Sequence, residues 1–143
     1  MGAYYAGALI DAGRAKEAVP MLESALPVWE KVNAGNPYAL REILHFLDLS
    51  YLETGRYAEA EKIAARQLQV YREAKTPKTE RTVGMAEFLM ARALAGQGKY
   101  RDALPHDEFA EGNLQVGAVS PGARRWLESV RMLVKEIRAK LGG

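Results

Sequence analysis

The sequence predicts an all-α fold built from repeated helix-turn-helix units. Its composition favours helices, because 23 Ala and 16 Leu far outnumber the β-branched residues, which are 9 Val, 4 Ile and 4 Thr. A six-residue motif occurs three times, with its glycines 42 and 43 residues apart, and apolar residues at helical spacing flank every copy. A chain of 143 residues is predicted to form one domain, residues 1–143.

Each copy of the motif predicts a tight turn between two helices. The copies are GRAKEA at 13–18, GRYAEA at 55–60 and GKYRDA at 98–103. The glycine ends the first helix, because a chain reversal often needs a left-handed backbone that costs other residues energy. The acid four residues later lies in the first turn of the next helix, where the helix dipole favours negative charge. The final alanine allows the two helices to approach closely.

The first four helices follow from these turns. The first motif separates helices at 3–12 and 15–33. The third helix, 37–54, begins where Asn36 precedes Pro37, a capping residue followed by proline. The second motif ends it and opens the fourth helix, 57–75.

The last three helices are predicted by the same signals. Thr76 before Pro77 marks the start of the fifth helix, 78–97, and the third motif opens the sixth, 100–117. Ser120 before proline starts the seventh helix, 121–141. This last helix has one apolar stripe, and its segment of the chain carries six basic and two acidic residues.

The repeated pattern resembles the tetratricopeptide repeat (TPR) family over most of the chain. The large apolar site before the turn is matched by Leu9, Tyr51 and Leu94, and the small site after it by Ala18, Ala60 and Ala103. The usual period is about 34 residues, so the spacing here resembles the long-helix variety of kinesin light chains and bacterial regulatory proteins. The resemblance implies a right-handed α-solenoid of three TPR-like repeats, 1–35, 36–76 and 77–119, with a capping helix at 121–141.

The sequence departs from this pattern at two positions. Asp48 occupies a site where the family has a small residue, and Asp107 occupies one where it has a large apolar residue. The run of Asp107 with His106 and Glu108 is interpreted as a solvated helix face, because consecutive residues of a helix point in different directions. The first helix is shorter than the third and fifth, which predicts that the chain is a fragment of a longer protein.

Catalytic and metal-binding patterns are not found in the sequence. The chain has no cysteine, and neither His45 nor His106 has a second histidine three or four residues away. Phosphate-binding loops and nucleophile motifs are absent too. We therefore expect a protein that is not an enzyme and uses no metal or cofactor. With no apolar run near the roughly 18 residues of a membrane span, and no signal peptide, a cytoplasmic location is predicted.

The TPR resemblance implies that the first helix of each pair lines a concave groove. Its predicted wall comprises Ala3, Gly7, Ile10 and Asp11 in the first repeat, Glu42, His45, Leu49 and Glu53 in the second, Met85, Phe88 and Arg92 in the third, and Arg131, Lys135 and Arg138 in the last helix. Apolar residues beside basic ones suit a protein or peptide ligand with an apolar anchor and an acidic flank. The alternative is that the apolar residues belong to the core and the basic ones are only solvated.

Two other functions remain open at this stage. Tyr4, Tyr5 and Leu9 would leave an apolar solenoid end, which predicts self-association as an element of a larger signalling or regulatory protein. The basic residues of the last helix, with Trp126, could contact nucleic acid. This is the weaker alternative, because the net charge is only +2 and Trp126 continues the apolar stripe.

Overall fold

The computed structural model describes residues 2–142, and the side chains from Tyr5 onward. The positions proposed above for the side chains of Ala3 and Tyr4 therefore lie outside the described residues. A 3₁₀ turn, Pro37–Leu40, precedes the third helix, and no strand occurs between residues 2 and 142. The α-helices are α1 (Gly2–Asp11), α2 (Ala15–Val32), α3 (Arg41–Glu53), α4 (Tyr57–Glu73), α5 (Arg81–Gly96), α6 (Tyr100–Leu114) and α7 (Pro121–Lys140).

The helices pack in the order of the sequence and form two layers. Every helix contacts the next one along the chain, and α1, α3, α5 and α7 also contact one another in succession. These four helices form the inner layer, and α2, α4 and α6 form the outer one. The predicted all-α fold of stacked helix-turn-helix repeats is confirmed.

The three motif turns have the same backbone structure. Gly13, Gly55 and Gly98 have φ angles of 76°, 75° and 77°. The amide that follows each glycine donates to the carbonyl oxygen five residues earlier, over 2.7 to 2.9 Å, which is the long bond of the Schellman motif. The left-handed turn predicted from the glycines is therefore confirmed.

Two helix starts differ from the prediction. α3 begins at Arg41 rather than at residue 37, because the first four residues form the 3₁₀ turn. α5 begins at Arg81 rather than at residue 78, because residues 77–80 form a turn in which the Glu80 amide donates to the Pro77 carbonyl oxygen over 3.0 Å. Before this turn, the amide of Thr76 donates to the Tyr71 carbonyl oxygen and closes α4. Lys75 takes the left-handed conformation at that end, with φ 55°. Ser120 does cap α7 as predicted, since its hydroxyl oxygen accepts from the Ala123 amide over 3.1 Å.

The main core runs through most of the stack. Its largest fully buried apolar side chains are Leu22, Ile43, Leu44, Leu47, Leu89 and Leu114. From α7, four residues of the apolar stripe are buried, and they are Leu127, Val130, Val134 and Ile137. This helix packs on α6, as expected of a capping helix. No helix in the described part of the chain is long and apolar enough to cross a membrane.

Two carboxyl groups are buried in this stack. Asp48 and Asp107 are both 0% exposed, and none of their carboxyl oxygens has a hydrogen-bond partner among the described residues. Burial raises the pKa of each to about 8. The interpretation of Asp107 as part of a solvated face is wrong, because it shares one side of α6 with Ala103 and Ala110, which are buried.

Candidate functional site

A groove runs along the inner layer between α3, α5 and α7. It consists of two connected cavities of about 350 and 540 Å³, which share Phe88, Arg92 and Ser129. The α7 helix forms one wall and α3 the other, with α5 between them. We call it the inner groove, and its lining residues are Asp11, Leu49, Glu53, Phe88, Arg92, Gly122, Arg125, Trp126, Ser129, Met132, Leu133 and Glu136.

Aromatic rings hold the floor of the inner groove in place. The Trp126 ring is stacked on His45 at an angle of 30°, with centroids 6.1 Å apart, and lies edge-on to Phe88, with centroids 5.6 Å apart. His45 in turn meets the Phe46 ring edge-on at 5.4 Å. Phe46 can lie there because Gly7 has no side chain, since a Cβ at that position would come within 2.7 Å of the ring. Contacts from several helices therefore position Trp126.

Burial makes His45 neutral within this cluster. It lowers the pKa of the His45 imidazole to about 4. At neutral pH the ring therefore carries no charge and stacks on Trp126 as an uncharged aromatic group. The ring that supports Trp126 from behind is therefore uncharged.

Two arginines and three carboxylates line the inner groove. The Arg92 guanidinium lies 5.9 Å from the Phe88 ring centroid and 3.3 Å from the Glu53 carboxylate. Arg125 has no ion-pair partner within residues 5–142. Arg92 lines both cavities. The cavity with Arg125 also contains Asp11, whereas the other cavity contains Glu53 and Glu136. The groove is therefore basic at one end and acidic at the other.

The structure brings together three of the nine predicted binding residues in this groove. Leu49, Phe88 and Arg92 line it. Glu42, His45 and Met85 line a separate cavity between α3 and α5. Phe88 also belongs to the core, with only 5% of its surface exposed, so both interpretations of this residue hold.

The other three predicted residues lie on a different face of α7. The Arg131 Nε is 3.3 Å from the Glu111 carboxylate and an Arg138 guanidinium nitrogen is 2.9 Å from that of Glu108, and both carboxylates are on α6. Lys135 shares this face through its helical spacing. The prediction that these residues lie beside Arg92 is wrong, because the face of α7 that carries them packs towards α6.

The groove residues of α7 were missed in the sequence. Arg125, Ser129, Met132 and Glu136 line the groove, and their spacing of four, three and four residues is that of one helix face. The basic residues at 131, 135 and 138 have the same kind of spacing. Periodicity therefore indicates two faces of α7 but does not show which of them lines the groove. The one sequence signal was Met132, an apolar residue that falls outside the apolar stripe of α7, and the structure shows it 70% exposed.

The structure also describes the surfaces predicted for nucleic-acid contact, on α7, and for self-association, at the α1 end. Trp126 lies between His45 and Phe88, and two of the arginines of α7 pair with carboxylates of α6, which leaves less for a nucleic acid to contact. At the α1 end, Tyr5 is 52% exposed, whereas Leu9 is 5% exposed and belongs to the core.

In the described part of the chain, no group of three or more His, Asp or Glu side chains could hold a metal ion.

Comparison with known proteins supports the fold. No protein-family model matches the chain, and no curated protein matches it. A crystal structure of a TPR-like protein from Chlorobium tepidum matches with a TM-score of 0.78 over 99% of this chain and 95% of that one. The two sequences are 19% identical, so the likeness shows a TPR-like helical repeat fold and nothing more specific.

Proposed function

We propose that this protein is an interaction scaffold that binds a peptide segment of another protein in its inner groove. The observation that carries the proposal is the groove itself, an apolar floor of fixed aromatic rings flanked by two arginines. TPR-like folds commonly serve as protein-interaction scaffolds, which agrees with this function. As a binding module it needs no catalytic group, cofactor or metal.

The apolar part of the ligand is proposed to lie between Leu49, Phe88 and Trp126. These side chains come from α3, α5 and α7, so an apolar group placed there contacts three helices at once. Because packing holds the rings before binding, little side-chain entropy is lost when the ligand arrives. An aromatic or large aliphatic side chain would supply the anchor.

The acidic flank of the ligand is proposed to lie beside Arg92 and Arg125. Arg125 is the stronger candidate for direct contact, because Arg92 already has Glu53 as a partner. A carboxylate can accept two hydrogen bonds from one guanidinium, which makes arginine a suitable partner. The opposite end of the groove, with Glu53 and Glu136, disfavours a second acidic group there.

The setting of this function is proposed from the sequence. The period of 42 to 43 residues supports assignment to the long-helix TPR variety, in which such segments belong to larger signalling or regulatory proteins. A bacterial setting agrees with the bacterial origin of the structural neighbour, and a cytoplasmic location stays a prediction.

Peptide display with two matched double variants tests the groove. A random-peptide phage library is selected on the immobilised chain, and the enriched peptide is then measured by fluorescence anisotropy. Arg92→Gln with Arg125→Gln removes both groove cations, and we expect binding to weaken by at least about tenfold. Arg131→Gln with Lys135→Gln makes the same change in net charge on the α6 side, and we expect less than about twofold weakening.

The comparison of the two variants decides the outcome. Enrichment of an acidic motif with an apolar anchor, lost only in the groove variant, supports the proposal. Equal weakening in both variants would mean that overall charge, and not the groove, attracts the peptide. No enrichment on a sample whose helical circular dichroism is intact would overturn peptide binding.

Self-association is a second candidate, favoured by exposed apolar residues on the first helix pair. Tyr5, Val28 and Val32 are 52%, 60% and 76% exposed. Light scattering over a concentration range tests this function, with Tyr5→Glu expected to abolish any dimer. Val116→Glu, a substitution at a residue that is 73% exposed near the other end of the stack, is the control. A dimer that persists in Tyr5→Glu would refute association through this end.

A further inference from the structure

Another cavity opens on the outer layer of the stack, between α4 and α6. Its volume is about 470 Å³, and α5 forms its base. We call it the outer pocket, and the lining residues that bear on binding are Leu68, Arg72, Lys75, Lys78, Val83 and Phe109. None of its described lining residues lines the inner groove, so the outer pocket is a separate site.

The interior of the outer pocket is apolar. Leu68 of α4 and Phe109 of α6 are partly exposed, and they pack against a small buried cluster that contains Tyr71 and Val83. The Tyr71 ring is held in place, because it meets the Tyr38 ring edge-on with centroids 6.2 Å apart. An apolar group in the pocket can therefore contact side chains of two helices without displacing the core beneath them.

Cationic side chains surround the opening of the outer pocket. Arg72, Lys75 and Lys78 are exposed, and none of the three has an ion-pair partner among the described residues. Glu87 is the one carboxylate among the described lining residues, and its Oε1 lies 3.0 Å from the His106 Nδ1. The pocket therefore carries an excess of positive charge, which favours an anionic ligand.

Hydrogen bonds hold the turn between α4 and α5, which carries Lys78, in place. The Thr76 amide donates to the Tyr71 carbonyl oxygen over 2.9 Å. The Asn113 side chain of α6 donates to the carbonyl oxygens of Lys78 and Glu80, over 2.7 and 3.1 Å. The turn is therefore fixed to both α4 and α6, so that little backbone freedom is lost when a ligand binds.

The outer pocket suits a free small molecule better than a segment of a protein. Its volume lies within the range of about 300 to 1,000 Å³ that is typical of small-molecule sites. Among the described residues, none of the exposed large apolar side chains lies on α4 or α6. A stable protein interface needs about 800 Å² of surface per partner with an apolar centre. On these two helices, the apolar surface is confined to the pocket.

We infer that the outer pocket binds a small organic anion with an apolar body, such as an aromatic carboxylate. The carboxylate lies beside Arg72, Lys75 and Lys78, and the apolar body lies between Leu68 and Phe109. Both parts are needed, because exposed cations alone hold an anion only weakly and apolar walls alone do not select a charge. This site goes beyond the proposed peptide groove, and neither site depends on the other.

Methyl NMR tests the outer pocket, because Leu68 and Val83 line it whereas Leu49 lines the inner groove. Naphthoate is titrated into the methyl-labelled chain, and naphthamide, a neutral molecule of nearly the same shape, is titrated in parallel. We expect naphthoate to shift the Leu68 and Val83 signals and naphthamide to bind at least about tenfold more weakly. The Leu49 signal reports any binding in the groove separately, so the two sites are distinguished.

Two matched double variants test the cations of the outer pocket. Lys75→Gln with Lys78→Gln removes two of its charges, and we expect naphthoate to bind at least about fivefold more weakly while naphthamide changes by less than about twofold. Lys31→Gln with Lys62→Gln makes the same change in net charge at exposed positions outside the pocket. This control should change neither affinity by more than about twofold.

Four results would overturn the inference. The first two are Leu68 and Val83 signals that do not respond to naphthoate, and equal affinities for naphthoate and naphthamide. The third is equal weakening in both double variants, which would mean that net charge, and not the pocket, attracts the anion. The capped tripeptide Glu-Phe-Glu is the probe for a protein ligand. Tighter binding of this peptide than of naphthoate in the outer pocket is the fourth result, and it would assign the pocket to a protein segment.

Discussion

Asp48→Asn is predicted to stabilise the protein, and more strongly as the pH rises. The carboxyl group is fully buried in the inner layer, without a hydrogen-bond partner among the described residues. Burial raises its pKa from 3.8 to about 8, although Arg92 acts in the opposite direction. Asparagine has nearly the same shape but never ionises, so the substitution removes the pH-dependent cost of ionisation, while its buried amide adds a cost that does not depend on pH.

The size of the effect follows from this pKa difference. The folded state binds the Asp48 proton more tightly than the unfolded state, so stability falls as the pH rises from 3.8 towards 8 and then levels off. Between these limits the loss is about 1.4 kcal/mol per pH unit. Asp48→Asn should therefore raise the free energy of unfolding by about 1.5 kcal/mol at pH 5 and about 4 kcal/mol at pH 7.

Urea unfolding of both proteins at pH 5, 6, 7 and 8 measures this difference. Helical circular dichroism reports the fraction folded, and the linear extrapolation gives each free energy. The difference between variant and wild type must be used, because Asp107 has a similarly raised pKa and adds its own pH dependence to both curves. Asp11→Asn, at an exposed position of α1, is the matched control and should show no comparable trend.

Two results would refute this reasoning. A stability gain that is the same at pH 5 and pH 8 would show that ionisation of Asp48 is not the cause. A loss of stability at pH 8 would show that the carboxylate is stabilised in the folded state, by Arg92 in the first instance.

Three further predictions concern local structure. Gly55→Ala should lower the free energy of unfolding by about 1 kcal/mol, because φ is positive at this residue. Gly112→Ala, in open space inside α6, should raise it by up to about 1 kcal/mol. Urea unfolding compares the two variants, and equal effects would contradict the turn geometry. Ser120→Ala should lower the free energy of unfolding by about 1 kcal/mol, because the α7 cap is lost. A change in melting temperature no larger than that of a serine-to-alanine variant at an exposed position would contradict this prediction. In NMR titrations, His45 should titrate near pH 4, because burial lowers its pKa, and His106 above 6.5, because Glu87 raises it. Protonation of His45 should therefore destabilise the fold as the pH falls from 6.5 towards 4, and a His45 pKa near 6.5 would refute its burial.

Much of the fold can be predicted from the sequence because its signals are local. The glycines of the three motifs need a left-handed backbone, and that requirement lies within a few residues of each turn. The helices between them follow from composition and apolar spacing, and only their ends shift. The start of α5 differs from the prediction because residues 77–80 form a turn of their own between α4 and α5.

The binding surfaces depend on how helices distant in the sequence meet. Periodicity identifies the possible faces of α7, but only its packing against α6 shows that Arg131 faces Glu111 while Arg125 faces the groove. When a helix carries charges on two faces, its sequence does not show which face lies at a groove, because the neighbouring helices determine this.

The repeated helix-turn-helix architecture is thus encoded in the amino-acid sequence itself, through backbone preferences and apolar periodicity that act over short distances. Tertiary structure alone settles the burial of Asp48 and Asp107 and the stacking of Trp126 on His45. Each of these depends on the space left between three or more helices. Many side-chain contacts across the stack determine that space, and they come from segments that are distant in the sequence, so no single segment specifies it.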